Sequence, residues 1–96
     1  MEKENLQVIH NREASRFELA IEDKQAVVNY RMVSEDTYNL YYAGVPAEFE
    51  GRGYGGRLVQ GALEQIKAER KKFIPTCPFI AVYVRRHPEY EEFVAK

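Results

Sequence analysis

A chain of 96 residues, 45% apolar and 30% charged, has the length for one domain, 1–96, around one hydrophobic core. Its formal net charge of -1 gives no global basic field, so neither nucleic acid nor anionic lipid is an expected partner. A single cysteine excludes an intrachain disulfide, no metal site is expected, and the absence of a signal-like or membrane-length apolar run points to a reducing cytoplasm.

The first half reads as strands. Residues 6–10 form a short one. Arg16–Ile21 alternates, with Phe17, Leu19 and Ile21 on one face and Arg16 and Glu18 on the other. Glu22-Asp23-Lys24-Gln25 suits a turn, residues 26–33 (AVVNYRMV) a β-rich run, and Ser34-Glu35-Asp36 another turn. Residues 37–43 (TYNLYYA) are dense in tyrosine, which favours strands. Short turns between successive strands imply antiparallel hairpins.

Further along, the period changes. Leu58, Val59, Ala62, Leu63 and Ile66 recur at helical spacing, with Gln60, Glu64, Lys67 and Arg70 opposite. Gly61 weakens that helix unless its missing side chain permits close packing on the sheet. Phe73-Ile74 reads as a short buried strand stopped by Pro75. Pro78 suits the first position of a last helix, residues 79–86, which ends before His87-Pro88. The fold class is α+β: an antiparallel meander, a glycine loop, a helix, a strand and a helix.

The glycine loop carries the functional signal. Four of the six glycines lie in GRGYGG, residues 51–56, immediately before the amphipathic helix. Free N–H groups at a helix start favour an anion, and glycine lets it approach. Gly51-x-Gly53-x-x-Gly56 meets the dinucleotide pattern formally, but it follows hairpins rather than opening a βαβ unit. No Gly-Lys-Ser/Thr follows, so a P-loop fails as well. The alternative to ligand binding is a turn that only joins strand to helix.

Arg52-Gly53-x-Gly55-Gly56-x-Leu58 after a meander resembles the coenzyme A pyrophosphate loop of the GNAT acyltransferases. The resemblance is closest to their very small single-domain members. It rests on residues 45–64 (VPAEFEGRGYGGRLVQGALE) and on residues 74–90 (IPTCPFIAVYVRRHPEY), which include Pro-x-Cys-Pro and an aromatic. It implies a compact GNAT-like fold that binds acetyl-CoA or coenzyme A. The expected cofactor contacts are Val45, Arg52, Gly53, Tyr54, Gly55, Gly56 and Arg57, with Val45 offering backbone groups to the pantetheine arm. The partners implied are an acyl-CoA donor and an amine acceptor, either a small molecule or a protein amine. Monomer and weak homodimer both stand.

Acyl transfer to an amine needs a neutral acceptor, a polarised carbonyl and a protonated leaving thiol. Cys77, at a helix start that favours a thiolate, is one candidate, with a buried apolar role as the alternative. Tyr83 can protonate the leaving thiolate or serve as a core aromatic. Glu48 and Glu50 flank the loop, and Glu48 is the candidate base. Many relatives carry His-Thr-Glu before Val-Pro; here Tyr42-Ala43-Gly44 stands in its place, so both of their proton-handling groups are missing. His87 is ten residues from Cys77 across a helix, about 15 Å at 1.5 Å per residue, which argues against a direct dyad. Two functions stand: an acyl-CoA-dependent N-acyltransferase, or a coenzyme A-binding module with weak or no turnover.

Overall fold

The computed structural model describes residues 7–95. Strands β1 (Val8–Asn11), β2 (Arg16–Ile21), β3 (Lys24–Ser34) and β4 (Thr37–Gly44) form an antiparallel meander. After helix α1 (Tyr54–Ala68) the chain returns as β5 (Lys72–Ile74), parallel to β4, so the sheet order follows the chain. The alternation expected at 16–21 is observed: Phe17, Leu19 and Ile21 are buried against α1. β3 is longer than its apolar run: Lys24 and Gln25 pair in regular register with Ile21 and Ala20 of β2, and Ser34 pairs with Thr37 beyond the β3–β4 register shifts at Asn29/Tyr30 and Met32/Ser34. The first strand is shifted towards Asn11, and its expected start, Leu6, lies outside the described residues.

Helix α1 buries Leu58, Val59, Ala62, Leu63 and Ile66 on the sheet. At Gly61 a Cβ would lie 2.6 Å from the Cβ of Val8, so helix and edge strand touch where glycine stands. Helix α2 (Pro78–Arg86) has Cys77 at its N-cap and Pro78 in its first turn, and it adds Ile80 and Val84 to the same core. Both helices therefore share one face of the sheet. On the other face Tyr41 and Tyr42 remain about half exposed.

The junction of β4 and β5 places the site. Their pairing runs from Thr37↔Lys72 to Asn39↔Ile74. One further bond, from the Cys77 N–H to the Leu40 carbonyl (3.0 Å), closes the vertex, beside a Thr76 hydroxyl contact to the Asn39 amide oxygen. Beyond it β4 runs on to Gly44 while the segment after β5 turns into α2. The two diverge, and a cleft opens between them. The tail, a 3₁₀ segment Pro88–Phe93, then brings Val94 beside Phe73, with the Ala95 N–H on the Phe73 carbonyl at 2.8 Å.

Candidate functional site

A cleft of about 440 Å³ lies between the end of β4, the glycine loop and the starts of α1 and α2. Ala43, Val45, Phe49, Leu58 and Phe79 supply apolar walls. The backbone of Gly51, Gly53, Gly55 and Gly56 supplies the other side, beside Glu50. Gly53, with φ 86°, is the N-cap of α1, a left-handed conformation that suits glycine. The helix thus begins inside the glycine cluster, not after it. Its first backbone bond runs from the Arg57 N–H to the Gly53 carbonyl at 3.2 Å. The N–H groups of Tyr54, Gly55 and Gly56 precede that bond and have no partner within the helix.

The charged and aromatic side chains of the loop lie around this start. The Arg52 guanidinium sits over the Phe49 ring at 5.8 Å, and Tyr54 meets the same ring edge-on at 5.8 Å. Arg57 lines a second, shallower groove along α1 with Gln60, Glu64, Tyr83 and His87. Among the described residues neither arginine is in a salt bridge. Val45 packs on the core and lines the cleft from the β4 side.

The three candidates for chemistry sit in three places. Cys77 is 7% exposed, part of the core, and is not in the cleft wall. Tyr83 stacks on His87 with centroids 3.9 Å apart, and the His87 Nδ1–H donates to the Tyr83 carbonyl at 2.9 Å. Burial, then the charges of Glu89 and Glu64, raise the Tyr83 pKa. Its ring comes within 3.8 Å of a Cβ placed at Gly56, yet it faces the groove rather than the cleft. Glu48 is exposed and pairs with Lys24 at 3.5 Å.

Sequence reasoning missed four walls of the cleft: Ala43, Phe49, Leu58 and Phe79. Leu58 stands in both the loop motif and the helical stripe, and neither marks it as a cleft wall. Phe79 had a signal, since an aromatic directly after Pro-x-Cys-Pro, at the outset of a helix, has no core position to explain it. His10 is structural: its side chain is 6% exposed and shares a 2.7 Å hydrogen bond with the Tyr30 hydroxyl.

Residues 16–93 match the family model described as GCN5-related N-acetyl-transferase. The chain belongs to the GCN5-related N-acetyltransferase family. It is 30% identical over 86 residues to Protein NATD1 of Xenopus tropicalis, covering 88% of this chain and 79% of that one. Protein NATD1 of Gallus gallus is 31% identical over 85 residues, with 86% and 77% covered. The solution structure of a GCN5-like protein from Staphylococcus aureus superimposes with a TM-score of 0.71, over 97% of this chain and 91% of that one. At 22% identity that likeness establishes the fold. The α+β architecture of the family, with its mixed five-stranded sheet, is thus present here. Among the described residues no helix is long and apolar enough to cross a membrane.

Proposed function

We propose that the chain is an acyl-CoA-dependent N-acyltransferase, with acetyl the default group and an amine the acceptor. The observation that carries this reading is the cleft itself, where uncommitted backbone donors adjoin apolar walls. The residues present fit such a donor. Tyr54, Gly55 and Gly56 would hold the pyrophosphate through their N–H groups, with Gly53 setting their direction and Arg52 or Arg57 adding a charge-assisted contact. Ala43 and Val45, beyond the last β4–β5 bond, would offer backbone groups to the arm.

Bound acyl-CoA supplies an activated thioester carbonyl. The protein must then take a proton from the amine and give one to the leaving thiolate. Tyr83 suits the donor role and not the base, because its raised pKa keeps the hydroxyl protonated at neutral pH. Glu48 is the base in this reading, acting through water from the exposed end of the loop. Cys77 is the acyl-carrying nucleophile, beside the vertex where its N–H bonds Leu40. Its sulfur takes the acyl group as the coenzyme A thiolate leaves and is protonated. The deprotonated amine then attacks this second thioester and releases the Cys77 thiol. The protein acts in the cytoplasm as a monomer or a weak homodimer, which would pair through the open edge of β1.

One observation favours a second reading, a coenzyme A-binding module with little turnover: Cys77, Tyr83 and Glu48 do not meet in the cleft. Incubation with acetyl-CoA and a panel of small-molecule and protein amines, followed by intact-mass analysis, separates the two. An acetylated amine or an adduct on Cys77 supports the enzyme. Coenzyme binding with neither outcome supports the module, and no binding removes both.

A further inference from the structure

We infer that Phe79 is the positioning residue of the cleft, an aromatic wall that confines the flexible arm of an acyl-CoA rather than its nucleotide. This rests on the donor reading above. Phe79 is the second residue of α2, and Gly55 is the second residue of α1. A Cβ at Gly55 would come within 2.8 Å of the Phe79 Cζ, so the ring fills the space over the first turn of α1 that a side chain would take. Backbone conformation does not explain this glycine, since the positive φ values belong to Gly51 and Gly53. A side chain at Gly55 would have to push the ring aside.

The ring is not there to hold the fold. Phe79 is 49% exposed, whereas Ile80 and Val84, which attach α2 to the core, are 0% and 3% exposed. It lines the cleft with Ala43, Val45 and Leu58, and this leaves a large apolar surface facing the space a ligand would enter. The cleft sorts by chemistry. Backbone donors of the loop suit phosphate, while the negative face of an aromatic ring offers an anion nothing and an aliphatic chain a broad contact. The arm is the part of an acyl-CoA that such a wall can grip.

Calorimetry with coenzyme A and with 3′-phospho-ADP, which carries the phosphates but no arm, tests the assignment on folded variants checked by thermal melting. Phe79→Ala is expected to weaken coenzyme A about tenfold and 3′-phospho-ADP by less than about twofold, with Phe79→Leu between parent and Phe79→Ala for coenzyme A. Gly55→Ala displaces the ring, so it should weaken coenzyme A more in the parent than in the Phe79→Ala background, where only its effect on the phosphate donors is left. Equal loss of both ligands in Phe79→Ala, or loss of neither, overturns the proposal and leaves the donor reading standing. Equal weakening by Gly55→Ala in both backgrounds overturns the account of the glycine. A parent that binds neither ligand removes the donor reading, and this proposal with it.

Discussion

The ring of Tyr42 lies across Gly44, in the space a side chain at position 44 would enter: a Cβ there would sit 2.8 Å from the Tyr42 Cζ. The two residues are two apart on one strand and share a face. Tyr42 is 49% exposed, so its ring can swing outward to admit a neighbour. Positions 42 and 44 are therefore coupled: a side chain at 44 has room only where the tyrosine ring has moved away or been replaced.

That coupling shapes the first prediction. Tyr42→His places a group of pKa near 6.5 on this strand, and general-base assistance is typically worth about 10²–10⁴-fold. Turnover should rise in Tyr42→His and rise further when Gly44→Glu is added. Gly44→Glu alone should do little, because it must first displace the tyrosine. Acetyl-CoA consumption by parent, both single variants and the double variant is the measurement. A parent as fast as the double variant would show that the missing histidine has no consequence here.

Gly53 tests the loop separately from Phe79. Its φ of 86° is adopted by asparagine more readily than by alanine. Gly53→Ala should destabilise the fold by about 1 kcal/mol, which in a domain of this size lowers the melting temperature by about 4–8 °C. Gly53→Asn should recover part of that loss. If alanine melts with the parent, the left-handed N-cap is not required.

Cys77 can be probed without disturbing α2. It holds the N-cap position with no side-chain cap bond. In Cys77→Ser the hydroxyl can accept an N–H of the first turn, worth about 1 kcal/mol, which offsets the loss of buried sulfur. Its melting temperature should stay within about 5 °C of the parent. Lost transfer in this variant would then report the thiol's chemistry. Transfer at the parent rate would make Cys77 a core residue only.

Acid should weaken the fold in two stages. Burial and then the Arg12 charge hold the His10 pKa below its ordinary 6.5, with Lys71 acting the same way and Glu69 opposing. Tyr30, bonded to the ring, and Tyr38 complete its titratable surroundings. The unfolded chain then binds a proton that the native one resists, so stability falls as pH drops below about 6.5 towards the folded value. A second loss follows at lower pH from Glu69. Burial raises its pKa, but hydrogen bonds from Tyr38 (2.6 Å) and Arg12 (2.8 Å) outweigh this and hold it below 4.5. Melting curves from pH 8 to 3 should show both stages, and His10→Gln should flatten only the first. A parent curve flat between pH 7 and 5.5 would contradict the assignment.

The meander was legible because one sheet face is buried, which leaves a period of two at Phe17, Leu19 and Ile21. The helical stripe from Leu58 to Ile66 was legible for the corresponding reason. Less visible was the exact start of α1, because Gly55 and Gly56 argue locally against a helix and enter it through tertiary contact. The 3₁₀ tail has no period to read. At the site, the loop announced itself through its glycines, whereas the Phe79 wall depends on α2 folding back over α1. Such a relationship is invisible to spacing along the chain. Cys77's burial is equally non-local, since its N–H finds Leu40 across the sheet.

The parallel closure of β4 by β5 also has a kinetic consequence. The hairpins of the meander join neighbours in the chain, but Thr37 pairs with Lys72 across a connection that contains the whole of α1. Pairings of long sequence separation are slow to form because loop closure opposes them. The Cys77–Leu40 vertex should therefore be among the last contacts to mature and among the first to open. Hydrogen exchange at the Cys77 amide reads this directly. It should be faster than exchange in the β2–β3 hairpin, and it should slow most when a ligand fills the cleft.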